Sequence, residues 1–299
     1  MNAIEVRQLT RAFAKKGGGQ ISAVDAVSLD VAQGTVCGLL GPDGAGKSTL
    51  LKLLVGHLRP TSGSATVLGQ PVAPLDSALW SRLGYVSQQH YLPTWMTGAQ
   101  CLSYARAFRP QWDEGKVRRL VDRLELPLDV RIRNLTHGHY VRLQIVLALA
   151  HNPELILLDE PTSGLDPGGR HELLAMLIEE MAPDSGRTVV FSSHLVEDIE
   201  RMADSVAIMD AGRVVTSGLL DTVKGSRSRV EFSSPIPDAD LSALPGLISL
   251  KRATTVNVAV TSEPDHALQY LRSHGAADAS VVSASLEQVF FDYVNRRQE

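Results

Sequence analysis

Apolar residues gather in four short, nearly continuous runs, at 35–40, 155–158, 188–192 and 205–209. Each is rich in Val, Ile or Leu, the pattern of strands covered on both faces. Between these runs the period changes. Residues 47–57, 140–151, 171–181 and 195–202 carry apolar side chains at helical spacing. Strands alternating with helices predict an α/β domain on a largely parallel sheet. Asp210-Ala-Gly-Arg213, followed by Val-Val-Thr-Ser-Gly, predicts a hairpin after the last of these strands.

The stretch 92–133 breaks the alternation. It holds Trp95 and Trp112, many charges, and helix-like spacing over 117–126. This predicts a helical subdomain inserted in the α/β core at about 90–140. After Lys224 the composition shifts. Ser226-Arg-Ser-Arg229 and then Ser233-Ser-Pro-Ile-Pro237 predict a linker. Beyond it, strand-like 255–260 and 280–282, helix-like 265–273 and a capping-box spacing from Ser285 to Gln288 predict a small α/β appendage. The chain therefore divides at 1–223 and 224–299.

Composition narrows the class. Hydrophobic content of 44% and charged content of 21% fit an ordinary globular protein. A net charge of −4 argues against a general polyanion-binding surface, so no nucleic-acid partner is expected. The two cysteines are Cys37 and Cys101, and Cys37 sits inside an apolar run. Neither a disulfide framework nor a thiolate metal site is expected. No apolar run reaches the roughly 18 residues that span a bilayer. The N-terminus lacks a basic-then-apolar leader layout. The expectation is a cytosolic chain whose membrane partner, if any, is a separate polypeptide.

The chemistry centres on Gly41, Pro42, Asp43, Gly44, Ala45, Gly46, Lys47, Ser48 and Thr49. The run follows a strand and opens a helix, which is the context a P-loop requires. Its glycines let backbone N–H groups curl toward phosphate oxygens, and the helix start adds a positive dipole end. Lys47 supplies a point charge for the β- and γ-phosphates. The Ser48 hydroxyl is a hard oxygen suited to Mg²⁺. Asp159 and Glu160 end the apolar strand at 155–158. Asp159 is placed to hold Mg²⁺, and Glu160 is a candidate general base for the attacking water.

With these segments in this order, the sequence over residues 3–222 resembles the ABC ATPase family. The resemblance implies a P-loop NTPase core of RecA-like type, with an antiparallel β subdomain and the inserted helical subdomain. It also implies ATP and Mg²⁺ as cofactors. Gln88 resembles the glutamine that reaches the metal and the water, with Gln89 as the alternative. Ser163-Gly-Leu-Asp166 resembles the D-loop, and His194 the switch histidine that contacts the γ-phosphate. Phe13 sits where an aromatic stacks on adenine, the other reading being a core aromatic. The tract 16–19 beside it suggests a flexible loop.

Leu135-Thr-His-Gly-His139 departs from the usual Leu-Ser-Gly-Gly-Gln signature. Thr136 keeps the hydroxyl and Gly138 the glycine, while His137 and His139 replace Gly and Gln. Both a working and a weakly hydrolysing signature fit this change. One P-loop and one signature in a chain imply a second nucleotide-binding subunit, a copy or a paralogue. Segments 108–113, 148–154 and 191–200 resemble bacterial ABC-2-type ATPases, particularly the YtrB-like group, and 285–294 resembles the C-terminal tail of export ATPases. That implies integral-membrane permease subunits and a peripheral place on the inner face of the cell membrane. Residues 91–102, with Leu92, Trp95 and Met96, form either the permease-docking surface or the subdomain's own core.

Overall fold

A computed structural model describes the chain apart from residues 16, 73–76, 90, 182–185, 253–254 and 295–299. Lys16 of the glycine tract thus lies outside the described residues. Two compact units are present, Met1–Ser217 and Gly218–Glu299, a division slightly earlier than the composition shift suggests.

In the first unit the chain runs β1 (Asn2–Ala14), β2 (Gln20–Ala32), β3 (Val36–Leu40), α1 (Lys47–Leu54), β4 (Ser62–Val67), β5 (Gln70–Pro71), α2 (Ser77–Ser81) and β6 (Leu83–Val86). It continues through α3 (Gly98–Arg106), α4 (Glu114–Arg123), α5 (His137–Leu149), β7 (Leu155–Asp159), α6 (Pro167–Glu180), β8 (Thr188–Ser193), α7 (Val196–Met202), β9 (Ser205–Asp210) and β10 (Arg213–Leu219). The four apolar runs are β3, β7, β8 and β9, in a sheet of order β10-β9-β3-β8-β7-β6. β3 pairs in parallel with β8 and β9, and β7 with β6 and β8. The β9–β10 hairpin closes through Ala211 and Gly212, both at positive φ (45° and 82°). Two positive-φ residues are what a tight hairpin turn of matching twist requires.

A second sheet, β2-β1-β4-β5, is antiparallel where its pairings are defined. Its long strands β1 and β2 are not legible as strands from hydropathy. β1 buries Ile4, Val6 and Leu9, but register shifts interrupt its alternation. At these bulges the two-residue period slips.

Leu50, Leu51, Leu53 and Leu54 of α1 pack into one core with Leu39, Leu157 and Val190. Each such side chain contributes about 2 kcal/mol by transfer from water. The helix after the P-loop is thereby fixed against the sheet. The helical subdomain is tied to α6 through ion pairs. Lys116 of α4, with a side chain only 3% exposed, meets Glu180 at 2.7 Å, and Arg142 of α5 meets Glu172 at 2.6 Å. Burial pushes the Lys116 ammonium pKa down, and the Glu180 carboxylate opposes that.

His151, just after α5, is 1% exposed, and its Nε2 lies 3.1 Å from the Leu83 carbonyl oxygen. Desolvation, then the charge of Arg109, lowers its pKa to about 4. The folded chain holds this imidazole neutral, whereas the unfolded chain protonates it near 6.5. Stability is expected to fall as pH drops from about 6.5 toward 4, by about 3 kcal/mol in full. Acid titration of the melting midpoint, compared with His151→Gln, checks this; an identical acid slope in both chains would exclude it.

The second unit runs α8 (Leu220–Gly225), β11 (Ser228–Phe232), α9 (Asp238–Ser242), β12 (Leu247–Lys251), β13 (Asn257–Thr261), α10 (Pro264–Ser273), β14 (Ser280–Ser283) and α11 (Leu286–Val294). Its sheet order is β12-β13-β11-β14, with every pairing antiparallel. A βαββαβ chain with this order is a ferredoxin-like module, a split βαβ repeated once. The expected linker is corrected here, because Ser228–Phe232 is an interior strand. Its polar look misleads: Val230 and Phe232 are core residues, the Arg227 guanidinium lies 4.3 Å from the Tyr293 ring centroid, and Arg229 pairs with Asp292 at 3.2 Å.

Candidate active site

The register of the parallel sheet assembles the site. Leu40 stands beside Ser193, and Asp159 beside Ser192. The chain therefore leaves β3, β7 and β8 at one edge, placing Gly41, Glu160 and His194 next to one another. Ligands of open α/β sheets bind at this carboxyl edge.

The loop 41–46 turns sharply into α1. Gly46, at φ 103°, caps the helix, and a Cβ there would meet the Ala23 carbonyl oxygen at 2.2 Å. Only glycine fits both the left-handed backbone and that approach. Lys47 is 5% exposed, and its Nζ donates to the carbonyls of Gly41 (2.7 Å) and Pro42 (3.2 Å). The same Nζ lies 3.1 Å from Glu160 Oε1. A cavity of about 310 Å³ is lined by residues 43–49, Ala23, Gln88 and Glu160.

Asp159 is 1% exposed. Its Oδ1 accepts from the hydroxyls of Ser48 and Ser192, each at 2.9 Å. Its Oδ2 is buried with no partner. Burial raises the Asp159 pKa, and the two hydroxyls act against that rise. An orphaned carboxylate oxygen beside a serine hydroxyl is a hard-oxygen set that fits Mg²⁺. Glu160 is at φ 50°, a left-handed conformation costing about 1–2 kcal/mol for a residue with a Cβ. It is retained because Glu160 N–H donates to Ser192 Oγ (2.9 Å), and Ser163 N–H to the Glu160 carbonyl (3.1 Å). The Glu160 carboxylate is held from both sides, by Lys47 on Oε1 and by His194 Nδ1 on Oε2 at 2.8 Å. Asp43 brings a further ligand-type oxygen within 4.8 Å of Glu160 and His194.

The two glutamines are separated by their neighbours. Gln89 Oε1 accepts from Lys52 Nζ at 3.2 Å and from the Tyr91 hydroxyl. Gln88 lines both the 310 Å³ cavity and a larger one of about 510 Å³. The segment is pinned by α5, where Gln144 accepts from Ser87 N–H (3.1 Å) and the Tyr140 hydroxyl from Leu92 N–H (2.9 Å).

Other sequence candidates do not line the 310 Å³ cavity. Thr136 caps α5, its hydroxyl accepting from His139 N–H at 3.2 Å. Asp166 caps α6, accepting from Gly169 N–H at 3.0 Å, and that bond lowers its carboxyl pKa. His137 lies 2.8 Å from the Ser163 carbonyl, so its Nε2 carries the proton that donates there. Gly138 and the start of α5 are thereby set against the turn that holds Ser163. Phe13, 37% exposed, pairs with Ile21 across β1 and β2, and the Arg11 guanidinium sits 4.7 Å from its ring centroid. Ser192 is the residue that pattern reasoning missed. Its signal was a pair of serines ending an apolar strand directly before His194.

Residues 24–163 match the ABC transporter family. An uncharacterized ABC transporter ATP-binding protein of Nostoc sp. is 38% identical over 216 residues, covering 70% of this chain and 63% of that protein. A second, from Synechocystis sp., is 33% identical, and 59% of its length is covered. The chain thus spans about three fifths of these two relatives. Nod factor export ATP-binding protein I of Rhizobium johnstonii is 31% identical over 294 residues, covering 95% of this chain and 94% of the relative. Among solved structures, the ATP-binding cassette MJ0796, a dimer in a post-hydrolysis state with ADP and Pi, superposes with a TM-score of 0.64 at 26% identity, over 73% of this chain and 98% of that one. With the glycine-rich loop, the paired carboxylates and His194 on one sheet edge, these likenesses place the chain in the family of ABC transporter ATP-binding proteins.

Proposed function

We propose that this chain binds and hydrolyses ATP as the nucleotide-binding subunit of an ABC-2-type exporter in the YtrB-like group. The observation that carries the reading is the Glu160 carboxylate, held between Lys47 and His194 at the mouth of the P-loop. The amides of 43–49 cradle the phosphates, and Lys47 leaves its carbonyls to meet them. Glu160 takes the proton of a water as its oxygen bonds to the γ-phosphorus and the bond to ADP breaks. His194 orients Glu160 and the γ-phosphate, and Gln88 orients the water. Ser48 and Asp159, with Gln88, would hold Mg²⁺, which neutralises phosphate charge when bound. Phe13 offers its ring to adenine.

Thr136, Gly138 and Asp166 do not line the cavity of their own chain. In this reading they face ATP held by a second subunit, in a homodimer closing on two nucleotides. The dimeric cassette MJ0796 supports that arrangement, and the Nod factor export relatives support export. A separate permease is the membrane partner, and the chain lies peripherally on the inner face of the cell membrane through it. No helix among the described residues is long and apolar enough to cross a membrane. The permease-docking reading of 91–102 is favoured at Trp95, which is 69% exposed, whereas Leu92 and Met96 are half-buried. Trp95→Glu is expected to release a co-expressed multi-span permease while ATP binding stays intact; retention of the complex would move the docking surface elsewhere.

Steady-state phosphate release from the purified dimer tests the central claim. The changed signature favours one second reading, an ATP-binding subunit with weak hydrolysis. Bound ATP without phosphate release would select that reading.

A further inference from the structure

Asp198 lies in the first turn of α7, away from the phosphate cavity, with a side chain only 1% exposed. A carboxylate in that position is costly unless donors surround it. Its donors all come from outside α7. Thr162 Oγ1 donates at 2.7 Å, Arg170 Nε at 2.7 Å and Ser193 Oγ at 3.4 Å. These three residues belong to the turn after β7, to α6 and to the end of β8.

Two of the donors, Thr162 and Ser193, are one step from the reacting groups. Thr162 sits in the turn that starts at Glu160, where Ser163 N–H meets the Glu160 carbonyl and Leu165 N–H the Thr162 carbonyl at 3.3 Å. That turn keeps Glu160 at its left-handed φ of 50°. Ser193 directly precedes His194, its carbonyl accepts from Gly41 N–H at 3.3 Å, and its hydroxyl accepts from Leu195 N–H at 3.0 Å. Arg170 lies one turn into α6, the helix capped by Asp166. The Glu160 and His194 side chains meet at 2.8 Å, yet their backbones belong to different strands. Beside the β7–β8 pairing and the Glu160 N–H bond to Ser192, Asp198 adds a buried side-chain link between the Glu160 turn and the end of β8.

We infer that Asp198 is a positioning residue, which fixes the Glu160 turn and the His194 strand end in one geometry and ties both to the D-loop helix through Arg170. It does not touch ATP. The inference rests on the reading that Glu160 and His194 act together on ATP. Through Arg170, a displacement of 163–166 by a second subunit reaches the Glu160–His194 contact, so dimer closure and base alignment are mechanically linked. The sequence gives no hint of this, because an acidic residue in a first helical turn is ordinary dipole chemistry.

The test uses the full-length chain with D198A, T162V and T162S, each measured for turnover at saturating ATP, for affinity toward a fluorescent ATP analogue and for melting midpoint. D198A and T162V are expected to lower turnover by about 10- to 100-fold, the scale of a misplaced catalytic group. Analogue affinity should stay at the wild-type level, and T162S, which keeps the hydroxyl, should restore turnover relative to T162V. In a Glu160→Gln background D198A should add nothing, since the group it positions is already gone. Wild-type turnover in D198A would overturn the inference. So would losses of affinity and melting midpoint that parallel the loss of rate, or a full additional loss in the Glu160→Gln background. If Glu160→Gln itself left turnover unchanged, the functional reading would fail first and this inference with it.

Discussion

Glu160→Gln is expected to cut phosphate release by about 10²- to 10⁴-fold, the usual contribution of a positioned general base. ATP binding should survive. The substitution keeps the shape of the side chain and its oxygen toward His194 Nδ1, and it removes the charge that Lys47 Nζ faces at 3.1 Å. Lys47 retains the Gly41 and Pro42 carbonyls, so the loop has no reason to collapse. With cleavage blocked and binding intact, the ATP-bound dimer should accumulate. Phosphate release, read beside gel filtration with and without ATP, checks both halves. A rate close to wild type would mean that the base lies elsewhere, with Asp43 the other carboxylate of the cluster.

The second large effect is at Lys47. Lys47→Ala is expected to weaken ATP binding by at least about 100-fold, because a charge-assisted contact in a buried site is lost. Stability should fall as well. The Glu160 carboxylate is 4% exposed, and Lys47 is the cation beside it. Leaving a buried charge without its partner costs about 3–5 kcal/mol. The double substitution Lys47→Ala, Glu160→Gln is therefore expected to recover the melting midpoint lost in Lys47→Ala, but not the lost ATP affinity. Recovery of both would show that Lys47 serves the fold and not the nucleotide. Recovery of neither would show that its carbonyl contacts matter more than the ion pair. Equilibrium titration with a fluorescent nucleotide and thermal unfolding separate these outcomes.

Much of the site was legible because its parts are local. The P-loop is set within ten residues by glycine conformation and a helix start, and the spacing of Gly41, Gly46, Lys47 and Ser48 records both. The carboxylates were legible because an apolar strand that ends in Asp159 and Glu160 has few other readings. Resemblance put Gln88 first and Gln89 second, and what the sequence could not show is that Lys52 and Tyr91 reach Gln89 after folding while Gln88 lines the cavity. Ser192 was missed for the same reason: its two hydrogen bonds cross from one strand to the next.

The second unit shows where composition misleads. A serine- and arginine-rich opening with nearby prolines suggested a linker, yet it contains an interior strand. Arginine can stand in or beside such a strand when a carboxylate or an aromatic ring meets it, as Asp292 meets Arg229 and Tyr293 meets Arg227, and those partners lie more than sixty residues away. The strand order that defines the ferredoxin-like module is likewise a matter of long-range pairing.

The sequence by itself carried the proposed class of chemistry, the parallel α/β core and the presence of two units, because these follow from short motifs and from the period of apolar residues. The tertiary structure alone decided which side chains meet. Strand register is set by packing between distant segments, and it is register that levels the ends of β3, β7 and β8. That alignment puts Lys47, Glu160 and His194 in contact, and it gives the buried Asp198 three donors from three separate segments.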